Sequence, residues 1–82
     1  MPLPRLGYLG PALRTLRRRA GLRQQQVAER TGFSRSRVSM YERGYTFPNT
    51  ASLWPLLDAL GVSLADLERT MRERARLDEL SG

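Results

Sequence analysis

Fourteen arginines, no lysine, no histidine and no cysteine leave an 82-residue chain with one dominant chemistry, the binding of anions. Clustered guanidinium groups neutralise phosphates and release the counterions condensed on a polyanion. The missing histidine and cysteine remove the commonest acid/base group, thiol nucleophiles, disulfide staples and nearly every zinc site. No glycine-rich phosphate loop is present either, so the chain does not read as an enzyme, and no cofactor or small-molecule ligand is expected. The net charge of +6 is unevenly placed. Residues 1–47 carry ten arginines against Glu29 and Glu42, a net +8, whereas residues 48–82 carry four against six acids, a net −2. A nucleic acid suits such a first half. An anionic membrane suits it less, because the cations are spread over three short helical segments instead of one amphipathic stripe. Apolar runs are also far short of the ~18 residues that span a bilayer. Met1 to Gly10 has no continuous apolar core, so it does not read as a signal peptide, and residence in the cytoplasm is the expectation.

The elements that must position these arginines are helical throughout, which predicts an all-α fold in one small domain. Residues 1–8, with two prolines and a glycine, read as a flexible arm. Gly10-Pro11 starts a first helix with Leu9, Leu13, Leu16 and Ala20 on one face and Gly21 as its stop. A second helix spans Gln24 to Thr31. Ser34 caps a third, which runs to about Arg43 and buries Val38 and Tyr41. Tyr45 to Ala51 is a loop. Ser52 is the expected cap of the fourth helix, because Pro55 then falls at its third position, where a missing N–H costs little. On that helix Trp54 reads as a core aromatic. Ser63 and Asp66 form a capping-box variant that opens a fifth helix, with Leu64, Leu67 and Met71 inward and enough length to reach Leu80.

The second and third helices meet under strict steric demands. Ala28 stands where only a small side chain fits, Gly32 where the turn needs a positive φ, and Val27, Val38 and Tyr41 fill the wedge. Arg35, Ser36, Ser39, Met40 and Arg43 are then left on the outward side, the layout of a DNA-binding helix-turn-helix over residues 24–43.

At this point the chain resembles the Cro/CI repressor-like, XRE-type helix-turn-helix family. The likeness rests on LGPALRTLRRRAGLRQQQVAERTGFSRSRVSMYERG, on Pro48 four residues beyond Gly44, and on LLDALGVSLADL. It implies a compact five-helix lambda-repressor-like domain over residues 9–67 that binds double-stranded DNA, usually as a homodimer on an inverted repeat. The function it implies is transcriptional regulation, by default repression, or the related role of an antitoxin that binds DNA and neutralises a protein partner. Residues 68–82 lie beyond the likeness and read as a C-terminal helical extension, either a dimerisation segment or a solvated tail.

Carried over by position, the resemblance assigns Gln24 to a phosphate and Arg35 and Ser36 to base edges. Arg35 can fork onto guanine O6 and N7 or clamp a phosphate; Ser36 and Ser39 can reach either; Met40 suits a thymine methyl. Arg37 and Arg43, with Tyr45 and Thr46 in the following loop, are expected on phosphates, and Arg23 adds a cation beside Gln24. Arg23 stands where the family often has a serine or threonine cap. The resemblance also pairs Glu42 with Arg17, orienting that guanidinium near the DNA backbone.

Overall fold

In a computed structural model, residues 5–81 are described. A 3-10 turn over Leu6–Tyr8 leads into α1 (Leu9–Arg19), followed by α2 (Gln24–Thr31), α3 (Arg35–Glu42), α4 (Thr50–Leu60) and α5 (Leu64–Ser81). The all-α, five-helix architecture is the expected one. Leu9, Ala12, Leu13 and Leu16 of α1, Val27 and Ala28 of α2, Val38 and Tyr41 of α3, Leu56, Leu57, Ala59 and Leu60 of α4, and Leu67 and Met71 of α5 share one apolar core. α1 packs on α3 and α5, while α2 packs on α3 and α4. The recognition pair α2–α3 is thereby clamped between a basic helix and an apolar one.

Local signals account for most helix ends. Gly32 lies at φ 79°, and its N–H bonds back to the Ala28 carbonyl at 2.9 Å, so the tight turn between α2 and α3 uses the left-handed region that glycine alone enters without strain. Ser34 Oγ accepts the Arg37 N–H at 3.1 Å, as a cap should. At the start of α5 the box is reciprocal: the Ser63 N–H donates to Asp66 Oδ2 at 2.8 Å and the Asp66 N–H to Ser63 Oγ at 3.1 Å. Those Ser63 bonds, together with Arg69, hold the Asp66 carboxyl below the usual carboxylate range.

Leu64, the first residue of α5 and expected inward, is 50% exposed, whereas Leu67 and Met71 are buried. Three larger expectations also change. The helical body starts earlier than the arm reading allowed, because Leu6–Tyr8 already pack on α1 and α5. Hydrogen bonding to Asp78 of α5 raises the Tyr8 phenol above its ordinary pKa. The remainder of the expected arm, residues 1–4, falls outside the described residues.

Second, α4 begins at Thr50, capped by Asn49, whose Oδ1 accepts the Ser52 N–H at 2.9 Å. Pro55 is therefore the sixth helical residue, and the Ala51 carbonyl lacks its usual amide partner. Ser52 is buried, and its hydroxyl is taken by Arg37 Nη2 at 2.7 Å, which removes it from capping. Burial of Leu56, Leu57 and Leu60 in the core offsets the proline.

Third, Trp54 is 49% exposed. With Ser52 and Leu56 inward, a residue two places from each is rotated by about 200° from both and faces outward.

The path of α1 depends on a residue whose role was invisible in periodicity. A Cβ built on Gly10 would lie 2.6 Å from the carbonyl oxygens of both Tyr41 and Glu42, so α1 crosses the end of α3 in direct backbone contact. Gly10→Ala should destabilise the fold by about 1–3 kcal/mol, the usual range for overpacking, and lower the melting temperature even though alanine is the better helix former. An unchanged melting temperature would show that the two helices separate freely there.

Candidate nucleic-acid interface

α3 presents its short side chains and one long cation away from the core. Arg35, Ser36, Met40 and Arg43 are exposed and Ser39 is half-buried, so the outward row expected from the wedge is present on one helix. Beside it, Arg23, Gln24, Gln25, Gln26, Glu29 and Arg35 line an open cleft of about 630 Å³ between the starts of α2 and α3. Arg23 supplies no side-chain cap to α2, and its backbone N–H instead donates to Gln26 Oε1 at 2.8 Å. First-turn amides and a guanidinium at a helix start make a favourable seat for an anion.

The carboxylate at the other end of α3 is the best-partnered polar group in the protein. Glu42 is only 5% exposed. Its Oε2 accepts from Arg17 Nε at 2.6 Å, and its Oε1 accepts from Arg17 Nη2 at 3.0 Å, Gln24 Nε2 at 3.2 Å and Arg14 Nε at 3.4 Å. Arg17 Nη1 goes on to the Leu22 carbonyl at 2.8 Å. The Arg17–Glu42 pair is thus formed as a bidentate fork, and Gln24 and Arg14 join it. Because Oε1 and Oε2 take donors from both α1 and α2, the desolvation of the acid is matched by charge-assisted bonds.

Two of the expected phosphate ligands have side chains engaged by other groups of the fold, although Arg37 remains exposed. Arg37 donates from Nε to the Tyr41 hydroxyl and from Nη2 to Ser52 Oγ, both at 2.7 Å, and its guanidinium carbon stands 3.9 Å from the Phe33 ring centroid. The Gln24 side chain faces Glu42. Arg43 leans on Tyr45, Nη2 to the hydroxyl at 2.8 Å with the guanidinium 4.6 Å from the ring centroid, and both residues remain exposed next to Thr46. The internal contacts of Arg14, Arg37, Ser52 and Phe33 escaped the sequence reading. One signal was available, the i, i+4 spacing of Arg37 and Tyr41, which puts them on one face of α3. Among the described residues no group of His, Cys, Asp or Glu could hold a metal ion, and no helix is long and apolar enough to cross a membrane.

Comparison with known proteins agrees with this geometry. Residues 9–70 match the model of a helix-turn-helix domain family. A protein described as an uncharacterized HTH-type transcriptional regulator, y4dJ of Sinorhizobium fredii, is 42% identical over 59 residues, covering 72% of this chain and 77% of its own. Among solved structures, the clp gene regulator ClgR from Corynebacterium glutamicum superposes with a TM-score of 0.79 at 33% identity, over 88% of this chain and 94% of that one. The restriction-modification controller protein C.AhdI from Aeromonas hydrophila does so with 0.71 at 34% identity, over 76% and 94%. The chain belongs to the helix-turn-helix family, of the XRE-like, DNA-binding type and not an enzyme family.

Glu42→Ala should cost about 3 kcal/mol of stability, since it strands an Arg17 side chain that is only 11% exposed. It should also weaken DNA binding in a titration of the variant at a temperature where it stays folded. Wild-type affinity in that titration would sever Glu42 from the interface.

Proposed function

We propose that the protein is a transcriptional regulator that binds double-stranded DNA sequence-specifically, laying α3 in the major groove of an inverted-repeat operator as a homodimer. The observation that carries this reading is the row Arg35, Ser36, Ser39 and Met40, outward-facing beside the basic cleft at the start of α2. Arg35 reads a guanine through O6 and N7, the serines take base or phosphate oxygens, and Met40 meets a thymine methyl. Arg23, the first amides of α2 including that of Gln24, Arg43, Tyr45 and Thr46 grip the flanking phosphates. The Arg17–Glu42 fork orients α1 and α3 toward the DNA backbone. Relatives named as a clp gene regulator and a restriction-modification controller support a role at promoters. Steric exclusion of polymerase, hence repression, is the simplest output of a chain this small, acting in the cytoplasm where its DNA lies.

Self-association is supported by the far end of α5. Leu77 and Leu80 are 56% and 79% exposed there, alongside Arg74, Arg76, Asp78 and Glu79, a mixture of charges that can pair with itself across an antiparallel contact. A dimer sets two recognition helices about one DNA turn, ~34 Å, apart. The antitoxin alternative calls for a tail that orders only on a partner, whereas α5 is continuous to Ser81.

Two measurements test the proposal. Selection of bound sequences from a random duplex pool should return a palindromic consensus, and Arg35→Ala should erase the preference at one base pair per half-site, a discrimination of about 1–3 kcal/mol. Equal binding to all sequences would reduce the protein to a phosphate binder. Sedimentation should show a dimer that the double substitution Leu77→Asp, Leu80→Asp converts to monomer; a dimer that survives it would place the interface elsewhere.

A further inference from the structure

The reading head α3 is only eight residues long and must be held at both ends to keep a fixed roll against the DNA. Its C-terminal end is pinned by Glu42 to α1 and by the backbone contact at Gly10. Its N-terminal half, which carries Arg35 and Ser36, has its own cap at Ser34, but that bond is internal to the helix. The polar tie from this half to the body is Arg37. Its Nη2 reaches Ser52, a buried residue on α4, its Nε holds Tyr41 one turn along α3, and its guanidinium plane rests on Phe33 in the turn before α3. Phe33 meets Tyr41 edge-on, with ring centroids 6.3 Å apart. One guanidinium therefore joins the turn, the recognition helix and α4.

The geometry points to Arg37 as a positioning residue that sets the roll of the recognition helix, in place of the phosphate contact expected of a cation at this site. This inference rests on the proposed DNA-reading role of α3. Turning Arg37 out to a phosphate would break two 2.7 Å hydrogen bonds and the stack on Phe33, and would leave the buried Ser52 hydroxyl without its donor. Arginine is needed for the task because Nε and Nη2 diverge in a fixed plane toward two acceptors while the face of the plane stacks. A lysine ammonium keeps the charge but offers neither the fork nor the face.

The roles predict different responses. A phosphate contact depends on charge, so lysine substitutes for it, and losing it lowers the slope of log affinity against log salt by about 0.9. A positioning tie depends on shape, so lysine fails and the salt slope stays. The experiment compares Arg37→Lys, Ser52→Ala and the double variant on two fluorescent duplexes, one selected by the wild-type protein from a random pool and one of scrambled sequence, over a salt series, with melting temperatures recorded. The expected result is that Arg37→Lys loses about tenfold of the selected-to-scrambled ratio, as coupled neighbours do. Ser52→Ala, which changes no charge, should shift the ratio the same way by a smaller factor. The double variant should be no worse than Arg37→Lys alone, with all three salt slopes equal to wild type. A wild-type ratio in Arg37→Lys overturns the inference, and so do additive losses in the double variant or a salt slope lowered by about 0.9 in a fourth variant, Arg37→Met, which removes the charge. If the wild-type protein selects no consensus, the sequence-reading role fails on its own account. The tie is then decided by amide hydrogen exchange along α3 in the free protein, faster in Ser52→Ala if Arg37 holds the helix and unchanged if it does not.

Discussion

The buried carboxylate of Glu42 is the constraint around which the reading surface is arranged. A polar group this enclosed is tolerated only when partners surround it, and its donors come from different parts of the chain: Arg14 and Arg17 of α1, and Gln24 at the start of α2. Satisfying one group therefore fixes the relative placement of three helices. The same network uses up cations. Arg14 and Arg17 face Glu42, Arg37 faces Tyr41 and Ser52, Arg30 donates to the Ala59 carbonyl at 3.0 Å, and Arg19 pairs with Glu73 at 3.2 Å. With Arg43, which leans on Tyr45, six of the ten arginines in the basic first part thus make contacts within the protein. The net +8 therefore overstates the cationic charge that is unengaged, and Arg23, Arg35 and Arg43 stand exposed around α2 and α3.

Much of the fold was legible because its signals are local. Gly32, Ser34 and the Ser63–Asp66 box act within a turn of themselves, so their geometry follows from residue type and spacing. The α2–α3 wedge was legible for a related reason, since Ala28, Val38 and Tyr41 meet across a turn of only a few residues. α4 was not. Asn49 and Ser52 are both good caps, and the choice between them is made by Arg37, fifteen residues earlier, which claims the Ser52 hydroxyl. Once α4 starts at Thr50, the outward placement of Trp54 follows. Gly10 looked like a helix start, and its constraint comes from backbone carbonyls of α3 more than thirty residues away, a contact no periodicity reports.

At the interface the division is similar. The outward positions of Arg35, Ser36 and Met40 follow from which residues of α3 fill the wedge. The contacts of Arg37 do not, because they depend on Phe33 and Ser52 being brought together by the tertiary fold. A cation on an outward helix face is easily read as a phosphate ligand, whereas the acceptors that Arg37 meets are supplied by the fold behind it.

α2 and α3 have eight residues each, below the ~12–15 at which isolated helices become even marginally stable in water. Their shape is borrowed from α1, α4 and α5 through Glu42, Arg37 and the shared core. The outward surface of α2 and α3 therefore has no existence apart from the folded body, and its loss is coupled to global unfolding. For a regulator, this makes the duration of occupancy at a promoter a question of protein turnover: a small loss of folding free energy enlarges the unfolded pool open to proteases, and the concentration of reading heads falls with it.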